Sequence, residues 1–306
     1  MSALQVFLQQ LTNGLTLGAI YALVALGYTM VYGVIQLINF AHGEVFMVGA
    51  YVALSLFLLA KAVPFLHGLP WWVLVIFAGM GSMIVCACLG WFAERVAYRP
   101  IRRAPRLNAL ITAIGLSFFL QNALMLIFGA TDRQFPNLMP LVRWQAGGVN
   151  ITLMQVIVWT SSGLLMLGLQ VLVMRTRLGK AMRATAQDLT ACALLGIPVN
   201  KIIGVTFAMG SMLAAIGGLL FGLNYGTINF HDGYLIGVKA FTAAVLGGIG
   251  NIPGAMVGGF ILGLLEVLGA GYLSAQWKNV FAFVILVGLL LFKPTGLLGE
   301  RLAERA

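Results

Sequence analysis

Apolar residues occupy the chain in long runs, at about 12–36, 40–60, 72–96, 107–129, 151–174, 202–223, 234–250, 254–273 and 279–298, separated by short polar stretches. Most of these runs reach the roughly 20 apolar residues that an α-helix needs to cross a bilayer. Nine crossings are expected, with eight the rival count. The doubt comes from the segments at 36–50 and 226–245, which are rich in polar and glycine residues, so that either can be a broken or re-entrant helix. The expected fold class is an all-α, polytopic integral membrane protein, with residues 1–306 forming one transmembrane domain.

Composition agrees with the runs. Of 306 residues, 61% are hydrophobic and only 8% charged, and mean hydropathy is +0.99. A soluble domain carries about a quarter charged residues, so a cytosolic enzyme, a disulfide scaffold and a disordered tail are excluded. The net charge of +10 reads as topology. Arg95, Arg99, Arg102, Arg103 and Arg106, then Arg175, Arg177, Lys180, Arg183 and Lys201, then Lys293, Arg301 and Arg305 make 13 of the 18 basic residues. The positive-inside rule puts these three regions in the cytoplasm and the loops at 61–71 and 130–150 outside. Counting back, the N-terminus lies outside as well. Met1 to Leu11 lacks a basic residue and a cleavage signal, so the first apolar segment is expected to stay in the mature protein. Cys86, Cys88 and Cys192 read as small hydrophobes.

The chain repeats itself. Laying residues 14–50 over residues 204–240 gives eleven identities in 37 positions, the densest being Ile38-Asn39-Phe40 against Ile228-Asn229-Phe230, each soon followed by a glycine, Gly43 or Gly233. The topology above makes the two copies antiparallel. Inverted repeats of this kind supply a pseudo-two-fold axis about which a pathway can open to either side; the blander reading is a recurrent packing face.

Ionisable groups cluster beside both copies: His42 and Glu44 in the first, His231, Asp232 and Lys239 in the second. A charge inside a bilayer is costly, so such groups face a cavity, a partner or the interface. They mark either a pathway where two helices break or a solvated surface. Glu266, in the middle of an apolar run, is expected to meet a partner such as Lys239. Gly250, Gly254, Gly258, Gly259 and Gly263 read as a close-packing face rather than a ligand loop. Gly248-Ile-Gly250 is followed by Pro253 where a dinucleotide fingerprint needs glycine, and no phosphate-loop motif occurs. Any ATP that powers this protein is therefore bound by another chain. His42, His67 and His231 have no metal-ligand spacing.

The polar segment 175–201 reads as an amphipathic helix over about 179–197. Lys180, Arg183 and Gln187 fall on one side, Met182, Ala186, Leu189 and Ala193 on the other, and Gly196 and Pro198 end it. It suits a docking element for a cytoplasmic partner, or a helix lying on anionic lipid.

Several blocks resemble the LivH-type permeases of branched-chain amino acid ABC importers: Asn13 to Leu23, Ile38 to Glu44, Glu94 to Pro100, Gly179 to Ala184, Leu194 to Ile197, Lys239 to Gly248 and Pro294 to Gly296. They span nearly the whole chain in family order. The resemblance implies a permease that moves leucine, isoleucine or valine across the bacterial inner membrane by alternating access. Its implied partners are a homologous second permease, two cytoplasmic ATPases holding ATP and magnesium, and a periplasmic binding protein. The chain itself is not expected to be an enzyme or to bind a cofactor, metal or nucleic acid. The 179–197 helix would be the ATPase contact, with Lys180, Arg183, Gln187 and Asp188 as docking residues. The longer loop motif of many importers is only echoed, by Ala191, Ala193 and Gly196. The pathway candidates are Asn39, His42, Glu44, Asn229 and Asp232. A urea or short-amide permease of the same architecture is the nearest alternative, and an ion-coupled amino acid carrier a more distant one.

Overall fold

The computed structural model describes residues 2–63, 68–102, 104–293 and 295–299; His67, Arg103, Pro294, Arg301 and Arg305 lie outside them. The fold is helical: α1 (Ala3–Ile35), α2 (His42–Ala62), α3 (Trp71–Ala93), α4 (Arg106–Phe128), α5 (Leu153–Arg175), α6 (Arg177–Gln187), α7 (Leu189–Leu194), α8 (Val199–Tyr225), α9 (Asp232–Gly247), α10 (Ile252–Tyr272) and α11 (Lys278–Phe292). Among the described residues, eight helices are long and apolar enough to cross a membrane, the last of them α11 taken with the 3-10 turn Ala275–Trp277 that leads into it, 18 residues in all. The run expected as a further crossing is α9, whose 16 residues span about 24 Å at 1.5 Å per residue, short of a ~30 Å hydrocarbon core. A turn at Asn229 separates it from α8, and Gly248, at φ 107°, stops it before the end of the run in a conformation that side chains disfavour. Eight, the smaller expected count, is therefore the number of membrane-length helices.

α1 and α8 form the centre, packed against α2, α9 and α10. Small residues let these backbones approach. A Cβ built on Gly259 of α10 would lie 2.5 Å from Ala22 Cα of α1, and one on Gly18 of α1 would lie 2.8 Å from Phe260 Cα. Gly258 and Gly254 face α9 instead, against Ala243 and Gly247. The glycines read as a packing face thus serve two neighbours from two sides of one helix. α3, α4, α5 and α11 lie outside and expose leucine, isoleucine and phenylalanine, as at Leu126, Ile127, Leu164 and Phe292. That pattern suits a lipid or protein neighbour, not water.

One end of the bundle carries short strands. β1 (Arg133–Gln134) pairs antiparallel with β4 (Thr227–Ile228), and β2 (Arg143–Ala146) with β3 (Val149–Thr152). The start of α1 is tied to this end: Gln9 Nε2 donates to the Asn150 carbonyl at 3.1 Å, and Asn150 N donates to Gln9 Oε1 at 2.8 Å. α6 lies at the opposite end, beside the α9–α10 turn, and α7 follows it against α8.

The first basic segment is more than a charge label. α3 runs on through a π-helical turn, Glu94–Tyr98, whose Glu94 is fully buried. Its carboxylate accepts from Arg99 Nη2 at 2.7 Å and from Arg102. Hydrogen bonding to Glu94 pushes the Arg99 guanidinium above its ordinary range. Arg102 also donates to Asn200 Oδ1 at the start of α8, at 2.8 Å. One of the arginines assigned to topology, Arg102, therefore pins the end of α3 to α8, while Arg99 neutralises Glu94 within its own segment.

The 179–197 segment departs from the expected single helix. It breaks at Asp188, which sits in extended backbone at φ −151° and closes α6. The Asp188 carboxylate then caps α7, accepting from Thr190 N at 2.7 Å and Ala191 N at 3.0 Å. Aspartate competes poorly inside a helix and well at its start, which is why a continuous periodicity ends there.

Candidate functional site

The two repeat copies fold alike at their Ile-Asn-Phe cores. In the first, Asn39 Oδ1 accepts from Ala41 N at 3.1 Å and the Asn39 carbonyl from His42 N at 3.0 Å. In the second, Asn229 Oδ1 accepts from His231 N at 3.0 Å and its carbonyl from Asp232 N at 3.1 Å. Asparagine offers the chain a side-chain turn at the point where helix must restart. Each turn follows one long helix, α1 or α8, and launches a second, α2 or α9.

The launched helices meet at their first turns. A Cβ on Gly43 would lie 2.6 Å from Gly237 Cα, one on Gly237 2.8 Å from Gly43 Cα, and one on Gly233 2.9 Å from the Gly43 carbonyl. Two helix N-termini thus share one small region, and their partial positive charges favour an anion there. Glu44 and Asp232, each in the first turn of its helix, supply negative charge.

The candidate pathway residues divide between two settings. Asn39, His42 and Glu44 are buried. Asn39 Oδ1 also accepts from Tyr98 Oη at 2.6 Å, and Glu44 Oε1 from Ser117 Oγ at 3.3 Å. His42 packs edge-on against Tyr28, with ring centroids 4.9 Å apart. Glu44 Oε2 has no hydrogen-bond partner among the described residues. Asn229 and Asp232 are half-buried toward the stranded end, where Asn229 Nδ2 donates to Asp132 Oδ1 at 2.7 Å and Asn229 N to Asp232 Oδ2 at 2.9 Å. His231 shares a 2.8 Å hydrogen bond with Gln121 of α4. All five belong to the two segments that meet at Gly43, Gly233 and Gly237, and none of them lines the open cavity at the α6 end.

Among the docking candidates, Lys180, Arg183, Gln187 and Asp188 are all exposed. The face turned inward is Gly179, Met182 and Thr185, one residue in three; the expected apolar partner Ala193 is exposed instead. Leu194 and Leu195 at the end of α7 are 84% and 80% exposed. Sequence reasoning did not single out Tyr98, Ser117, Gln121 or Glu94. Their partners lie 59 to 110 residues away, or, for Glu94, inside a segment whose positive charge hid it.

Eight membrane-length helices, with two further chain reversals that start helices inside the bundle, define a polytopic helical permease. A family model described as branched-chain amino acid transport system / permease component matches residues 10–290, and the chain belongs to that family. It is 47% identical over 304 residues to the high-affinity branched-chain amino acid transport system permease protein LivH of Escherichia coli (strain K12), covering 98% of this chain and 97% of that protein. It is 50% identical over 304 residues to BraD, the permease protein of the same kind of system in Pseudomonas aeruginosa, covering 98% of both. A similarity of 33% over 136 residues, 42% of this chain, extends to the autoinducer 2 import permease LsrC of Yersinia enterocolitica. No solved structure matches.

Proposed function

We propose that this chain is the membrane permease subunit of an ATP-driven importer of leucine, isoleucine and valine in a bacterial inner membrane. The reading is carried by 47–50% identity to branched-chain amino acid permeases over 98% of the chain. It assigns ATP hydrolysis to two cytoplasmic ATPases, substrate delivery to a periplasmic binding protein, and half of the membrane passage to a homologous second permease. ATP and magnesium belong to the ATPases. The α6 end is cytoplasmic and the stranded end periplasmic, with the N-terminus on the latter side. Cysteine introduced at Asn137, between β1 and β2, is expected to react with an impermeant thiol reagent from the periplasm; protection there together with labelling from the cytoplasm contradicts the orientation.

In this reading the Asn39–Asn229 junction, with His42, Glu44 and Asp232, is where the bundle opens alternately to the two sides. Glu44 Oε2, buried and without a partner among the described residues, is an atom that a second arrangement could satisfy. α6 and α7 receive the ATPase through Lys180, Arg183, Gln187 and Asp188, with Leu194 and Leu195 as apolar contacts. Asp188→Ala removes the α7 cap, worth about 1 kcal/mol. Together with Leu194→Asp it is expected to lower ATP-driven uptake at least fivefold while the chain stays in the membrane. Unchanged uptake by both variants rules out docking at this face. The function itself is tested by ATP-dependent leucine uptake into proteoliposomes holding the assembled importer, with urea as the competing solute; uptake of urea in preference to leucine overturns the assignment.

A further inference from the structure

Toward the stranded end, the outward face of α4 combines an exposed amide with large apolar side chains. Within its own chain α4 packs mainly on α2 and on the Glu94–Tyr98 turn. Its inward face is polar at Ser117 and Gln121, which bond Glu44 and His231 at the helix junction. Outward, Phe118, Phe119, Leu126 and Ile127 are each more than half exposed, and Asn122 stands exposed among them.

Neither lipid nor water suits that face. α4, 23 residues long, rises about 34 Å, so a ~30 Å hydrocarbon core covers all but its ends. Asn122 precedes the last residue, Phe128, by six positions, which puts it roughly 9 Å inside the helix end. Its Nδ2 donates to the Phe118 carbonyl at 2.7 Å, a bond within the helix, and its Oδ1 accepts from nothing among the described residues. Acyl chains offer that oxygen no donor, and an unsatisfied amide in hydrocarbon is costly. The wall of an aqueous channel would satisfy Asn122 but leave four large apolar side chains in water. A packed helix of another chain meets both demands, because it covers the apolar surface and can bond the amide, as asparagine does between membrane helices.

We propose that this face of α4, from Phe118 to Ile127, is where the second permease subunit packs, through a transmembrane helix that sets a hydrogen-bond donor opposite Asn122 Oδ1. The proposal rests on the paired-permease reading and gives the pair its contact surface. Gln121, next to Asn122, holds His231, so α4 lies between the second permease and the junction. A shift of one permease against the other therefore reaches the Asn39–Asn229 turns through a single helix.

The test uses the whole importer in native membranes. Phe119→p-benzoylphenylalanine puts a photoreactive ring on the face with little change of shape, and irradiation is expected to join this chain to the second permease, identified by peptide mass. Asn122→Leu is an apolar change at hydrocarbon depth that should leave insertion and membrane abundance unaltered. It is expected to lower recovery of the second permease with the tagged chain at least threefold in mild detergent. Asn122→Gln keeps the amide and should restore that recovery. Lipid adducts alone at Phe119, or parental recovery with Asn122→Leu, overturns the face. The parent chain separates the two readings. A pair that is recovered while Phe119 marks only lipid refutes this surface alone, and a parent chain that brings no second permease with it refutes the pairing beneath it.

Discussion

Replacing Glu266 with leucine is expected to destabilise the protein by about 3–5 kcal/mol, the usual consequence of leaving a buried charge without its partner. Glu266 is fully buried in α10. Its Oε1 lies 2.7 Å from Lys239 Nζ of α9 and 3.3 Å from Lys278 Nζ of α11, and its Oε2 accepts from Tyr21 Oη of α1 at 2.9 Å. One carboxylate therefore joins four helices. The two lysines are not equivalent: the Lys239 side chain is 8% exposed and that of Lys278 39%. Without Glu266, Lys239 has no water to retreat to, whereas Lys278 can turn outward. Lys239→Met leaves Glu266 with Lys278 and should cost less. The pair Lys239→Met/Glu266→Leu removes both buried charges and should recover part of the loss. Lys278→Met should fall within about 1 kcal/mol of the parent. Thermal unfolding in detergent, read with membrane abundance, checks this order, and a Glu266→Leu protein as stable as the parent would sink the argument.

This cluster was legible in the sequence for a simple reason. A glutamate in the middle of an apolar run cannot be solvated by lipid, so it demands a partner, and Lys239 is one of few candidates. The asparagine repeat was legible because identity at a fixed offset survives ignorance of the fold. Other features were not, and the cause differs in each. α1 begins at Ala3, well before the apolar run that starts at about residue 12. In the structure Gln9 bonds Asn150, and Asn13 Oδ1 accepts from Gln155 Nε2 at 3.0 Å, contacts separated by more than a hundred residues that no local pattern reports. Glu94 was hidden by its neighbours: five arginines around it suggested a solvated loop, yet two of them turn inward to neutralise it. The break between α6 and α7 did leave a signal, since Asp188-Leu189-Thr190-Ala191 is a helix start as readily as a helix interior. Periodicity, which counts faces but not caps, read across it.

The helix junction carries the second large expected effect. Gly43→Ala adds one methyl group at a point where the nearest atoms belong to backbone: the Gly233 carbonyl, and Gly237 Cα and N at 2.6 and 3.1 Å from the built Cβ. A side chain in that place could rotate away; a backbone can move only by separating α2 from α9. Overpacking in a well-filled core ordinarily destabilises by about 1–3 kcal/mol, and rigid neighbours on both sides put this site at the upper end of that range. Gly237→Ala meets Gly43 Cα at 2.8 Å and should behave alike, while Gly43→Ala/Gly237→Ala should be worse than either, because each methyl enters the same gap. Leucine uptake per inserted chain is expected to fall at least tenfold in the single variants. Gly115→Ala and Gly163→Ala are the controls, since a Cβ at either position meets nothing within 4 Å, and a helical glycine replaced by alanine gains about 0.5–1 kcal/mol. They should insert and transport as the parent does. Parental uptake by Gly43→Ala at parental abundance would mean that the two helix starts need not stay in contact, and the junction could then not be the point where the bundle opens.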